Sequence, residues 1–278
     1  MYFKFGISTM VYYQENIKKL LPLLNRYKLG NIEIRPNAKH FECQDMEIIE
    51  DIKKEIERFD ISVEAIHMPM DDVDISSLEE YDRMRSVREI EKTIMTAVKL
   101  KADLVVVHPG GKCDCIEDRK KRMAKCIDSL SEIVDFSSNW GINIALENTL
   151  PGRLGDNWSE ISELLDKIQS EYLGVCLDTG HYLINQGINK KVSLELDKHP
   201  IDWEKKLIHM HIHDNNGKKD LHVLPEEGSF PWDELFSYLK QIKYQHLLVI
   251  ESTEQVYIED YLNKIKEVIN RLKEMYRL

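Results

Sequence analysis

Glycine-, proline- or serine-rich stretches are missing from this chain of 278 residues, and so is any low-complexity tract. Without such linkers there is no place to draw a domain boundary, and residues 1–278 are read as one domain. A GxGxxG turn is also absent after the first apolar run, which removes the usual mark of a dinucleotide-binding sheet. No stretch approaches the ~18 consecutive apolar residues that a membrane span requires, so no membrane partner is expected. The opening MYFKFGISTM has no basic segment followed by a long apolar run, so a signal peptide is not expected and a cytoplasmic location is.

Cysteine is scarce. The five present (Cys43, Cys113, Cys115, Cys126, Cys176) are odd in number and irregularly spaced, so they suggest no disulfide framework and fit a reducing compartment. Cys113 and Cys115 stand two apart in GGKCDC, which is not zinc-knuckle spacing. Basic charge is also short: 38 Lys and Arg against 49 Asp and Glu leave a formal charge of -11. That balance argues against a broad nucleic-acid footprint. It leaves room for a local basic groove, and metal ions in an acidic rim would invert the local field.

What the chain does have is order. Eight short apolar runs read as strands: 3–8, 31–35, 61–67, 102–108, 142–148, 173–178, 207–213 and 246–252. Several, such as LVVV and LLVI, are nearly continuous, as strands buried on both faces of a parallel sheet must be. Charged segments with apolar residues at helical spacing lie between them: Asn16–Tyr27, Asp45–Phe59, Glu80–Leu100, Glu117–Ser138, Trp158–Gln169, Pro231–Ile242 and Tyr257–Tyr276. Residues 182–205 also read as helical, with an interruption around Gly187. Regular alternation implies parallel βαβ units. Eight of them match the ~250 residues of a (β/α)₈ (TIM) barrel, the fold expected here. An open doubly wound sheet is the alternative.

In such a barrel every strand ends on one face, and active sites occupy that face. The strand ends carry His67, His108, Glu147, Asp178 with His181, His211 and Glu251, and the loop after the seventh strand adds Asp220 and His222. A single strand-end histidine is commonly a satisfied polar residue, and a single acid is commonly a helix cap. Nine together are another matter, because four carboxylates in one mouth repel unless cations sit among them. Imidazole and oxygen donors without thiolate suit Zn²⁺, Mn²⁺ or Fe²⁺.

The order HM, HPGG, LENT, LDTGH, HIHD, DLH, EEG and VIES resembles the xylose-isomerase-like barrel superfamily, also called the AP endonuclease family 2 domain. It joins sugar and sugar-phosphate isomerases and epimerases to endonuclease IV. The resemblance runs from the first strand to the last helix and is most specific in LDTGH and HIHDNNGKKDLHVLPEEGSFPW. It implies two layers of function. Glu147, Asp178, His211 and Glu251 match the four ligands of the one-metal isomerases, whose two glutamates also serve as acid and base. All nine residues match the trinuclear zinc site of endonuclease IV, with Glu147 as the bridge.

The loops favour a small substrate. MPMDDVDISS after the third strand is acidic and has no aromatic, and PNAKHFECQ after the second offers only Lys39, His40 and Phe41 for contact with a duplex. The expectation is therefore a sugar or sugar-phosphate isomerase or epimerase holding one to three Zn²⁺ or Mn²⁺ ions. Glu147 and Glu251 would move the proton, and His181 would bind a substrate oxygen or a second metal. The alternative is a three-zinc phosphodiesterase of the AP endonuclease type. Arg153 and His213 are expected at the substrate, and His209 behind the ligands or in the core. Asp214 and Asn215 are expected to shape the loop presenting Asp220, Trp232 to be a core aromatic, and Pro109–Gly111 to form a close turn, either one where a phosphate approaches or a simple tight turn.

Overall fold

Leu104–Val107 and Leu247–Ile250 are buried at every position, which requires cover on both faces of the sheet. The cover is a closed parallel barrel ringed by helices. The computed structural model describes residues 3–42, 45–187, 194–253 and 257–276. The strands are β1 (Lys4–Ser8), β2 (Asn31–Ile34), β3 (Ser62–His67), β4 (Leu104–Val107), β5 (Asn143–Glu147), β6 (Leu173–Asp178), β7 (Leu207–Ile212) and β8 (Leu247–Ile250). They pair in chain order, and β8 closes on β1. The helices are α1 (Ile17–Tyr27), α2 (Met46–Arg58), α3 (Glu80–Leu100), α4 (Ile116–Ser138), α5 (Trp158–Ile168), α6 (Thr179–Gln186), α7 (Trp203–Lys206), α8 (Trp232–Gln241) and α9 (Ile258–Met275).

The sequence dictates these helices locally. Asn16, Asp45 and Asn157 each accept backbone N–H groups of the first turn and so start α1, α2 and α5. Each helix buries one stripe on the barrel; in α1 it is Ile17, Leu20, Leu21 and Leu24. The helical reading of 182–205 resolves into α6, a short 3₁₀ turn at Leu196–Lys198 and α7, while 188–193 lie outside the described residues. Gly187 ends α6 at φ +74°, where a side chain would be strained. Cys115 starts α4, its sulfur accepting from Asp118, and Cys113, Cys115, Cys126 and Cys176 are all free thiols; Cys43 lies outside the described residues.

Side chains two apart on a strand share a face. That rule sets two layers inside the barrel. Arg35, His67, His108, Glu147, Asp178 and His211 form the upper one, and Glu33, Ala65, Val106, Ala145, Cys176 and His209 lie two residues before them. All six lower residues are fully or almost fully buried. Two irregularities of register fall in that lower layer, at Ile32/Glu33 between β2 and β3 and at Val175/Cys176 between β6 and β7. Among the described residues, no helix is long and apolar enough to cross a membrane.

Candidate metal centre

The barrel brings all nine strand-end and loop residues into one mouth. Glu147, ending β5, is the hub. Its Oε2 lies 3.2 Å from His67 Nε2 and 3.0 Å from His108 Nε2. Its Oε1 lies 3.4 Å from both His211 Nδ1 and His181 Nδ1. His211 Nδ1 is also 3.8 Å from Asp178 Oδ2 and 3.6 Å from Glu251 Oε2. On the far side of this group Asp220 Oδ2 stands 2.9 Å from His222 Nε2 and 3.5 Å from His181 Nε2. The donors thus form three groups. One is His67, His108 and Glu147; a second is Glu147, Asp178, His211 and Glu251. The third is His213, Asp220 and His222, with His181 Nε2 3.5 Å from Asp220 Oδ2.

Each of four imidazoles has one nitrogen taken by an acceptor behind it. His67 Nδ1 donates to the Met68 carbonyl (2.7 Å), His181 Nδ1 to the Asn148 carbonyl (2.8 Å) and His222 Nδ1 to the Glu251 carbonyl (2.9 Å). A carbonyl only accepts, so Nδ1 carries the proton in all three and the lone pair of the neutral ring is at Nε2, which faces Glu147 from His67 and Asp220 from His181 and His222. His211 is turned the other way, with Nε2 held at 3.0 Å by Glu33 and Nδ1 facing the site.

Burial raises the proton affinity of the carboxylates, yet it is overcome at each of them. His108 and His211 hold Glu147 well below its ordinary range. His181 and His213 lower Asp178, and His211, Arg35 and His222 lower Glu251. His181 and His222 bring Asp220 down. The counterpart is that His181 and His211 are pushed well up against their burial, chiefly by Asp178 for His181; for His211 the neutral thiol of Cys176 cannot be the cause, and Glu33, Glu251 and Glu147 are. His222 rises to about 9 as Asp220 and Glu251 outweigh desolvation. Burial keeps His108 below its usual value in spite of Glu147. Burial pushes the Cys176 thiol far up.

A divalent ion fits this donor set. His211 Nδ1, His213 Nδ1 and Asp220 Oδ1 are buried and have no hydrogen-bond partner, although carboxylate oxygens stand 3.4 to 3.9 Å from the two imidazole nitrogens. Unpaired lone pairs packed that closely cost free energy unless a cation is shared among them. Without an ion, protons on His181, His211 and His222 balance the acids.

Two neighbours of the centre escaped the sequence reading. Arg35, just past β2, pairs with Glu251 Oε1. Glu33, inside β2, accepts from His209 Nε2 at 2.7 Å as well as from His211. Arg35 sits at a strand end like the others and was open to the same search. Glu33 was marked only by being an acid between Ile32 and Ile34.

Some expectations change. His213, expected to touch substrate, is fully buried, with Nε2 3.0 Å from both Asp178 oxygens and its ring stacked on His222. Its place past the end of β7 puts it behind Asp178, and it is not among the residues lining the cleft. Arg153 does line that cleft, a space of about 110 Å³ shared with Arg35, Met70, His108, Glu147, His181 and others. The turn at Pro109–Gly111 is closed to a phosphate: a Cβ on Gly110 would stand 2.0 Å from Ser76 Oγ, and Gly111 N donates to Asp74. Within the acidic loop after β3, Asp74 is structural, accepting from Ser76 and pairing with Arg122. His40 and Phe41 are buried and present nothing to a duplex. Asp214 and Asn215 do shape their loop. Asp214 accepts from Ser229, Phe230 and the indole of the buried Trp232, and Asn215 bonds Gly180 and Gly217.

The sequence matches the family described as the xylose isomerase-like TIM barrel over residues 13–275. An uncharacterised protein of Methanocaldococcus jannaschii is 27% identical over 281 aligned positions, covering 96% of this chain and 90% of its own. A probable endonuclease 4 of Carboxydothermus hydrogenoformans is 24% identical over 244, covering 83% of this chain and 82% of its own. The crystal structure of a D-tagatose 3-epimerase-like protein superposes at TM-score 0.81 and 27% identity, covering 98% of this chain and 99% of that one.

Proposed function

The chain belongs to the xylose isomerase-like TIM barrel family, and from that premise we propose that it is a divalent-metal-dependent isomerase or epimerase of a sugar or sugar phosphate. The observation that carries this reading is the cleft itself. Two carboxylates, Glu147 and Glu251, each about 1% exposed, line a space of about 110 Å³ together with two arginines. That is room for a small ligand, and a polymer would have to lie across its mouth.

Glu147 and Glu251 both lie close to His211 Nδ1, so they can serve one substrate carbon, one removing a proton beside the carbonyl and the other returning it. Both are held in the charged form, which suits a proton acceptor but makes each a weak base. A divalent ion held by Glu147, Asp178, His211 and Glu251 would polarise the substrate carbonyl and offset the negative charge that develops there. Arg35 anchors Glu251 while keeping a cation at the cleft, and Arg153 at the rim meets an anionic substituent such as a phosphate. His181, its Nδ1–H held by Asn148, turns Nε2 toward the cleft to bind a substrate oxygen or a further ion.

One observation favours a second reading, a phosphodiester hydrolase. Glu147 is shared between two donor groups through its two oxygens, and His213, Asp220 and His222, with His181 nearby, make a third, an arrangement that would suit three ions. Three ions suit ester hydrolysis, in which a hydroxide is generated and the phosphoryl and leaving oxygens are held. Metal content per chain, measured together with turnover of ketoses and ketose phosphates, separates the readings. One ion with isomerisation supports the first. Three ions with efficient cleavage of abasic duplex and no isomerisation overturns it.

A further inference from the structure

We propose that Glu33 is a positioning residue for the metal centre: its buried carboxylate holds the Nε2–H of His211 and so turns Nδ1 toward Glu147, Asp178 and Glu251. The inference rests on the metal-dependent reading above.

Glu33 lies in the lower layer of the barrel with no exposed surface. Its ion pairs among the described residues are with two imidazoles, His209 and His211, both meeting the same oxygen, Oε2. A charged carboxylate can only accept, so each Nε2 must carry a proton. For His211 that decides the tautomer. Once its proton is on Nε2, the neutral ring presents its lone pair at Nδ1, the atom that is buried, unpartnered and 3.4 to 3.8 Å from three carboxylates.

The three imidazoles oriented from behind by carbonyls, His67, His181 and His222, present Nε2. His211 is the member of this set oriented by a side chain, and it presents the opposite nitrogen. Backbone carbonyls come with the fold, whereas a buried acid must be supplied by the sequence. An apolar residue in the lower layer would pack there at no desolvation cost, as Val106 and Ala145 do. Glu33 is therefore poorly explained as a stability device. The register irregularities at Ile32/Glu33 and Val175/Cys176 flank the contact: Cys176 pairs with His209, so the strand carrying the acid and the strand carrying its histidines both depart from regular pairing there. Such departures re-aim side chains.

Glu33→Gln keeps the size and removes the logic. An amide oxygen can still take both N–H groups, but it carries no charge and holds them more weakly, and if the NH₂ group turns to the rings an imidazole must shift its proton. Outer carboxylates behind a ligating histidine typically contribute about 10- to 100-fold in metal affinity. We expect a zinc or cobalt affinity weaker by about that factor in Glu33→Gln, by chelator competition, and an altered visible spectrum of the cobalt form. Long-range ¹H–¹⁵N NMR of the zinc-loaded wild type should show His211 protonated at Nε2 and ligating through Nδ1. Wild-type affinity and spectrum in a folded Glu33→Gln protein, or a His211 proton on Nδ1, overturns the proposal and leaves the metal-dependent reading standing. If Glu33→Gln does not fold, the wild-type NMR decides alone. Failure of the wild type to bind either metal overturns both.

Discussion

Arg35, one residue beyond β2, reaches past β1 to Glu251, one residue beyond β8, and binds its Oε1 while Oε2 faces His211 and His222. Glu251 is 1% exposed, so its charge depends on these three partners. Removing one partner of a buried pair typically costs about 3–5 kcal/mol. We expect Arg35→Met to lower the unfolding free energy of the metal-free protein by about 3 kcal/mol, near the bottom of that range because both imidazoles remain. Adding Glu251→Gln should restore part of the loss. Denaturant titration of the single and double variants measures this; a double variant less stable than Arg35→Met would show that the pair is not what holds Glu251.

Glu147→Gln and Glu251→Gln should each abolish turnover in either reading, because each residue is a donor to the centre. Normal kcat in either variant rules out the mechanism. His108→Ala discriminates further: a one-metal isomerase should stay largely active, whereas a three-metal hydrolase should lose nearly all activity. Steady-state kinetics with metal analysis of the same preparations decides between them.

Gly180, in the first turn of α6, has no room for a side chain. A Cβ there would stand 1.9 Å from His213 Cε1, and that ring is pinned by Asp178 and stacked 4.0 Å from His222. Gly180→Ala should therefore cost about 1–3 kcal/mol of stability by overpacking and should displace His213. Thermal unfolding and the His213 NMR shifts report both effects; an unchanged Tm would mean that the ring has space to move.

His40 gives stability a pH dependence remote from the centre. Burial lowers it from the usual 6.5 to about 4. The folded value lies below the unfolded one, so the unfolded chain takes up the proton first. This contribution is present above pH ~6.5 and is lost as pH falls toward about 4, on the order of 3 kcal/mol in all. His40→Gln should flatten that part of the stability profile. Urea unfolding at pH 7 and pH 4.5 tests this, and equal slopes in both proteins would remove His40 from the account.

A DNA-acting enzyme neutralising several phosphates shows steep salt dependence, each contact adding ~0.9 to the log–log slope. With a net charge of -11, a buried His40 and Phe41, and Asp74 tied up by Ser76 and Arg122, we expect negligible incision of abasic duplex by the zinc-loaded protein at physiological salt. A gel assay yielding turnover of ~1–10³ per second would promote the hydrolase.

Much of this molecule could be read from local pattern. Continuous apolar runs marked the strands, helical spacing marked the helices, and the shared direction of parallel strands told which ends would meet. That His67, His108, Glu147, Asp178, His211 and Glu251 share one mouth followed from that rule, while Asp220 and His222 came from the loop after β7. Arg35 obeyed it as well and was missed because its strand ended in a basic residue, not a ligand type. His213 was misplaced for a different reason. It lies beyond the end of β7, where strand alternation no longer says which way a side chain turns, and its contact with Asp178 forms between two segments 35 residues apart.

By itself the sequence determined the element order, the eight parallel units and the identity of the groups at the strand ends, because periodicity and strand polarity act over a few residues, whereas closure came from β8 pairing with β1. Tertiary structure alone decided which nitrogen each imidazole presents, which oxygen of Glu147 meets which histidine, and that Glu33 stands behind His211. Apart from the bond of His67 to its neighbour Met68, those depend on hydrogen bonds between residues far apart in the chain, such as Asn148 with His181 and Glu33 with His211, and no local pattern encodes them.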